Sequence, residues 1–157
     1  MSTIVVLGGG IGGISAAFEL KDDLGDAHDI VLVSDQPHFE FTPSNPWVAV
    51  LWRKPEAIRL DLDQLMGKHG IRFVCNPVRK VQPEGKNLLL SDDTELGYDY
   101  LVIASGPRLA FDEIPGLGPH GGFTGSVCKT DHASLMASQF DAFCADPGPV
   151  IVGAAQG

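Results

Sequence analysis

Gly8, Gly10 and Gly13 stand at the spacing Gly-x-Gly-x-x-Gly, directly after the apolar run Ile4-Val5-Val6-Leu7. That arrangement suits phosphate chemistry. Gly8 permits a tight turn, Gly10 lets the backbone approach a pyrophosphate, and Gly13 lets the following helix pack closely on the strand. Gly12 lies within the same turn. The ligand's negative charge then meets free backbone N–H groups at the positive end of the helix dipole. An acceptor for a ribose 2′-hydroxyl belongs near the end of the second strand of such a unit. Ser34 and Asp35 occupy that place, and either one fits.

Cys128 and His132 form a second group whose types carry chemistry. The cysteine immediately precedes a helical pattern whose expected N-cap is Thr130 or Asp131, and Lys129 is its neighbour. A helix N-terminus and an adjacent cation favour a reactive thiolate, while Asp131 opposes it. The alternative is a small buried hydrophobe, the usual fate of a lone cysteine. His132, four residues on, is spaced to move protons for that thiol, or is simply a polar residue of the first helical turn. Cys75, ending a strand pattern, and Cys144, beside Phe143, read as structural.

Positioning these groups requires a first strand–turn–helix unit completed by Asp29-Ile30-Val31-Leu32-Val33-Ser34, an apolar strand suited to a sheet covered on both faces. Residues 36–60, with Pro37, Pro43, Pro46 and Pro55 among aromatics, read as an ordered excursion. A short helix over 60–68 and a strand over 71–75 follow, and then a small antiparallel meander over 78–96. Tyr98 to Ile103 returns to a strand and ends in Ala104-Ser105-Gly106-Pro107, which bares its backbone. Asp131 to Ala145 is helical, with Leu135, Met136, Phe140 and Phe143 on one side. The expected fold is α/β, a Rossmann-like parallel sheet with a small antiparallel meander. Its domains are a nucleotide-binding domain over 1–112, a crossover loop and helix over 113–147, and an incomplete second dinucleotide-type unit beginning at 148–157. Pro149-Val150-Ile151-Val152 reads as a buried strand opening that unit, so the chain is expected to be the N-terminal part of a longer protein.

Composition narrows the partners. Eleven basic against twenty acidic side chains leave a net charge of −9, which speaks against a nucleic-acid surface. Neither a basic leader nor an apolar run of membrane-spanning length appears. Three scattered cysteines build no disulfide framework, and no spacing suggests a metal.

The glycine turn, the block Tyr98 to Gly106 and a second glycine turn at Gly153 together resemble the two-dinucleotide-binding-domain flavoproteins. Within that superfamily, Phe41-Thr42-Pro43-Ser44-Asn45-Pro46-Trp47-Val48-Ala49-Val50, Ser126 to Ala133 and Gly148 to Gly157 resemble the sulfide:quinone oxidoreductases. The resemblance implies FAD as cofactor, held by Gly8, Gly10, Gly12, Gly13, Ser34 or Asp35, Ser105, Gly106 and Pro107. Pro43, Ser44 and Asn45 would face the flavin edge, and Val78 would hold the adenine through its main chain. It further implies that sulfide is oxidised to polysulfide through a cysteine pair, with Cys128 and His132 as the catalytic residues present. The electron pair would pass by way of FAD to a membrane quinone. The partner cysteine, the quinone pocket and the peripheral contact with a prokaryotic inner membrane would lie outside this stretch, which alone is expected to be inactive and to hold FAD weakly. Homo-oligomerisation stays open.

Other readings are the flavin subunit of a cytochrome-linked sulfide dehydrogenase, a type-II NADH:quinone dehydrogenase, or a non-catalytic nucleotide-binding module. Residues 35–74 contain no cysteine, which argues against the glutathione-reductase-like class. Ala155 stands where a nicotinamide site usually has its middle glycine, and its methyl crowds a pyrophosphate.

Overall fold

The computed structural model describes residues 1–154. Strand β1 (Thr3–Leu7), helix α1 (Ile11–Leu24) and strand β2 (Asp29–Ser34) form the opening unit. They are followed by β3 (His38–Glu40), α2 (Asn45–Ala49), β4 (Arg59–Asp61), α3 (Leu62–Lys68) and β5 (Arg72–Cys75). Strands β6 (Val78–Gln82), β7 (Asn87–Leu90) and β8 (Glu95–Gly97) make the meander. Strand β9 (Tyr100–Ile103) and helix α4 (Thr130–Ala145) complete the elements.

The main sheet has the order β5-β2-β1-β9, and each pairing in it is parallel. This is the expected Rossmann-like arrangement. Strand β2 is apolar at consecutive positions because both of its faces are covered. On one side Ile4, Val6, Ile30 and Leu32 pack with Ile14 and Ala17 of α1 and with Leu62 and Met66 of α3. On the other, Val5, Val31 and Val33 pack with Leu88 and Leu90 of the antiparallel β6-β7-β8 sheet. The meander thus covers one face of the parallel sheet, and helices cover the other.

Helix α3 begins two residues later than the apolar pattern suggests because Asp61 caps it, its side chain accepting from the Gln64 N–H at 2.8 Å. Replacing a good N-cap by alanine costs about 1 kcal/mol. Asp61→Ala should lower the unfolding free energy of the flavin-loaded protein in urea by that amount, with a lower midpoint, and an unchanged midpoint would deny the cap any energetic role.

The chain divides into two compact units, one of residues 1–40 and 59–109, the other of 41–58 and 110–157. The proline-rich excursion therefore groups with the segment carrying α4. In that second unit Val48 and Ala49 of α2 pack with Ile58 and with Ala133 and Met136 of α4. Leu135 does not join this face and is exposed; the inward positions of α4 are His132, Ala133 and Met136. Val150, Ile151 and Val152 are exposed and unpaired rather than a buried strand, since no described strand lies beside them. Ala155, of the second glycine turn, lies outside the described residues.

Candidate functional site

The glycine turn sits at the carboxyl end of β1. There the sheet changes direction, because β2 and β5 lie to one side of β1 and β9 to the other. Open α/β sheets bind ligands in the crevice at such a switch point. Gly8 has φ +122°, and a methyl placed on it would run into the Ala104 carbonyl oxygen. A methyl on Gly13 would run into the Gly8 carbonyl oxygen. These two glycines are required by the protein's own packing. Gly10 and Gly12 differ, for a methyl on either would meet no atom within 4 Å. The N-cap of α1 is Gly10, no side chain caps that end, and no acidic residue stands in the first turn. The positive end of the helix is thereby left to an anion from outside.

The expected neighbours gather unevenly. Ser34 is buried beneath the turn, since a methyl on Gly9 would come within 2.6 Å of its Oγ. That hydroxyl already accepts from the Gln36 N–H at 3.1 Å. Asp35 is exposed one residue later. Ser105, Gly106 and Pro107 are exposed beyond β9, with Gly106 at φ +74° and the Ala104–Ser105 peptide against Gly8. Val78 stands apart on the meander, paired with Leu90.

In the second unit the excursion is tied down by its own side chains. Arg53 donates to Ser44 Oγ at 2.9 Å, and its guanidinium lies 4.1 Å over the Trp47 ring. Ser44 and Asn45 are fully buried, so their side chains face protein rather than an open edge. Asn45 Nδ2 donates to the Val127 carbonyl at 3.0 Å, and Thr130 Oγ1 donates to Asn45 Oδ1 at 3.1 Å. Pro43 precedes this pair in an exposed turn. The N-cap of α4 is Lys129, not Thr130 or Asp131, and it makes no side-chain capping bond. The Thr130 hydroxyl is occupied by Asn45 instead.

Cys128 lies on the turn before that N-cap, a free and exposed thiol whose N–H donates to Ser126 Oγ at 3.1 Å. The same Ser126 Oγ lies 3.2 Å from His132 Nδ1, and the His132 ring is buried. One hydroxyl therefore ties the cysteine's backbone to the histidine. Cys75 and Cys144 are exposed rather than buried, one on the edge strand β5 and the other in the last turn of α4. His120, Asp131 and His132 bring three donor atoms within 4.8 Å of one another, which spacing along the chain does not reveal. The positive end of α4 weighs against a bare cation there.

Residues 2–154 match the family described as pyridine nucleotide-disulphide oxidoreductase. The chain belongs to that family. It is 38% identical over 154 residues to the sulfide-quinone reductase of Aquifex aeolicus, covering 98% of this chain and 35% of that protein. The X-ray structure of the sulfide:quinone oxidoreductase from the same bacterium superposes with a TM-score of 0.85 at 36% identity, over 95% of this chain and 34% of the other. An NADH dehydrogenase-like protein of Mycobacterium tuberculosis is 30% identical over 148 residues, covering 87% of this chain and 36% of that one. The chain spans about a third of the length of these relatives.

The chain is thus part of a flavoprotein oxidoreductase, and the cofactor of its family is FAD. The residues present fit that group. The space above Gly10 and Gly12, the uncapped start of α1 and the exposed Asp35 and Ser105–Pro107 match a pyrophosphate with a ribose beside it. No sequence pattern singles out the Ser126 hydroxyl, and the amide bonds of Asn45 differ from the role its sequence context suggests. Pro43 and Pro46 on either side of Asn45 were the available signal that this amide is held rigidly.

Proposed function

We propose that the chain supplies the FAD-holding part of an enzyme that oxidises sulfide and passes the electron pair to a quinone. The supporting observation is the exposed thiol of Cys128, on a turn whose backbone shares the Ser126 hydroxyl with the buried His132, in a chain so similar to a sulfide-quinone reductase. When bound, FAD supplies a two-electron acceptor. Gly10 and Gly12 admit its pyrophosphate, and α1 directs N–H groups to the phosphates. Asp35 accepts from the ribose, because Ser34 is buried and already bonded. Ser105, Gly106 and Pro107 line the cofactor through their backbone, Val78 takes the adenine edge through its main chain, and Pro43 borders the flavin. Cys128 holds the sulfur being oxidised, with a second cysteine outside this chain, and His132 carries the proton that sulfide releases. Each hydrosulfide that is oxidised loses two electrons and one proton, the quinone gains the two electrons with two protons, the second drawn from solvent, and the oxidised sulfur leaves as polysulfide.

Among the described residues no helix is long and apolar enough to cross a membrane. We assign peripheral contact with a prokaryotic inner membrane, where a quinone is reached, to residues outside this chain. Residues 148–157 would open a second dinucleotide-type domain. The likeness to an NADH dehydrogenase-like protein favours a second reading, an NADH:quinone dehydrogenase.

Anaerobic addition of sulfide to the full-length, FAD-loaded protein separates the two. Rapid bleaching of the flavin absorbance, reversed by a soluble quinone, is the expected result. Bleaching by NADH and not by sulfide would overturn the sulfide reading.

A further inference from the structure

We propose that Asn45 is a positioning residue for Cys128, a role that rests on the reading of Cys128 given above. Its amide is fully buried and spends both ends on the two flanks of that cysteine. Nδ2 takes the carbonyl one residue before Cys128, and Oδ1 takes the hydroxyl two residues after it. The partners are 82 and 85 residues away in sequence, so nothing local to the turn supplies them.

A turn entering a helix is usually fixed by its own N-cap side chain. Here Lys129 provides no such bond, and Asn45 takes over that task from a distance. Ser126 Oγ adds a third tether through the Cys128 N–H. Backbone and neighbours are held on every side while the thiol stays exposed, which is what a reacting atom requires.

The proline-rich excursion acquires a purpose from this. Asn45 opens α2 between Pro43 and Pro46, Val48 and Ala49 bury the same helix against α4, and the Arg53 bond to Ser44 closes the loop behind it. An amide satisfies both partners and an ionised carboxylate does not. The Val127 carbonyl needs a donor and the Thr130 hydroxyl needs an acceptor, so an aspartate would set a carboxylate oxygen against the carbonyl.

The test uses the full-length, FAD-loaded protein with two separate readouts. Asn45→Asp should slow flavin reduction by saturating sulfide about 10–100-fold, the loss expected when a reacting atom is misplaced by about an ångström. Reoxidation of dithionite-reduced flavin by a soluble quinone should not change, and deuterium exchange in the peptide 126–132 should quicken. Thr130→Val, which removes one of the two bonds, should give a smaller effect in the same direction, and Thr130→Ser should restore the rate. If Asn45→Asp fails to fold, the Thr130 pair carries the test. Unchanged exchange and unchanged reduction would overturn the proposal, as would equal losses in both half-reactions. Should Cys128→Ser itself retain the normal reductive rate, the chemical reading of Cys128 falls, and exchange at 126–132 alone decides whether Asn45 places the turn.

Discussion

Gly10→Ala should weaken flavin binding and leave the fold intact, whereas Gly13→Ala should disturb the fold itself. The two glycines belong to one motif and differ in what surrounds them. A methyl on Gly10 meets no protein atom within 4 Å, and its backbone, at φ −82° and ψ −177°, is extended and open to any residue. Whatever selects glycine there lies outside the polypeptide, and a pyrophosphate drawn onto the start of α1 is such a partner. Crowding a packed ligand with one methyl costs about 1–3 kcal/mol, or about 10–100-fold in affinity. At Gly13 the added methyl would overlap the Gly8 carbonyl oxygen, so the turn must open and α1 must leave β1. A clash in such a core exceeds about 3 kcal/mol. Flavin titration and thermal unfolding of the flavin-stripped protein separate the cases. Gly10→Ala should unfold with the parent and bind FAD weakly, and Gly13→Ala should unfold early. A Gly10→Ala protein that purifies with its full flavin content would show that the pyrophosphate lies elsewhere.

The same contrast explains what the sequence could reveal. Apolar runs at Ile4–Leu7 and Ile30–Val33 announce a sheet covered on both faces, and burial on alternating sides is what the fold delivers. Turns with Asp92-Asp93 and Pro83-Glu84-Gly85-Lys86 mark the meander because those residues tolerate or require turn geometry, and Lys86 and Asp93 indeed take positive φ. Local rules reach this far. They do not reach Asn45, whose partners come from a segment some eighty residues later, nor the shared Ser126 hydroxyl. They also misplace Leu135 and the cap of α4, since a regular helical period does not say which side a neighbour will cover. The flavin-facing role expected for Ser44 and Asn45 rests on a resemblance, and local rules do not show that both side chains are buried and bonded within the protein.

Sulfide-driven flavin reduction should fall about 1,000-fold or more in Cys128→Ser, equivalent to about 4 kcal/mol of lost transition-state stabilisation. Serine keeps the shape and the 128 N–H that bonds Ser126, so the turn stays tied to Asn45 and His132. What disappears is the sulfur, and a hydroxyl neither accepts a second sulfur atom nor attacks one at neutral pH. Flavin content, the visible spectrum and reoxidation by quinone should match the parent, which localises the defect to the step that takes electrons from sulfide. Cys75→Ser and Cys144→Ser serve as the internal comparison, because all three thiols are exposed and only Cys128 stands before a helix N-terminus. If exposure alone made a cysteine reactive, the three variants would behave alike. Retention of the parent rate within a few-fold in Cys128→Ser would make it an auxiliary thiol and move the reacting sulfur to cysteines outside this chain, while the glycine turn would remain the flavin's seat.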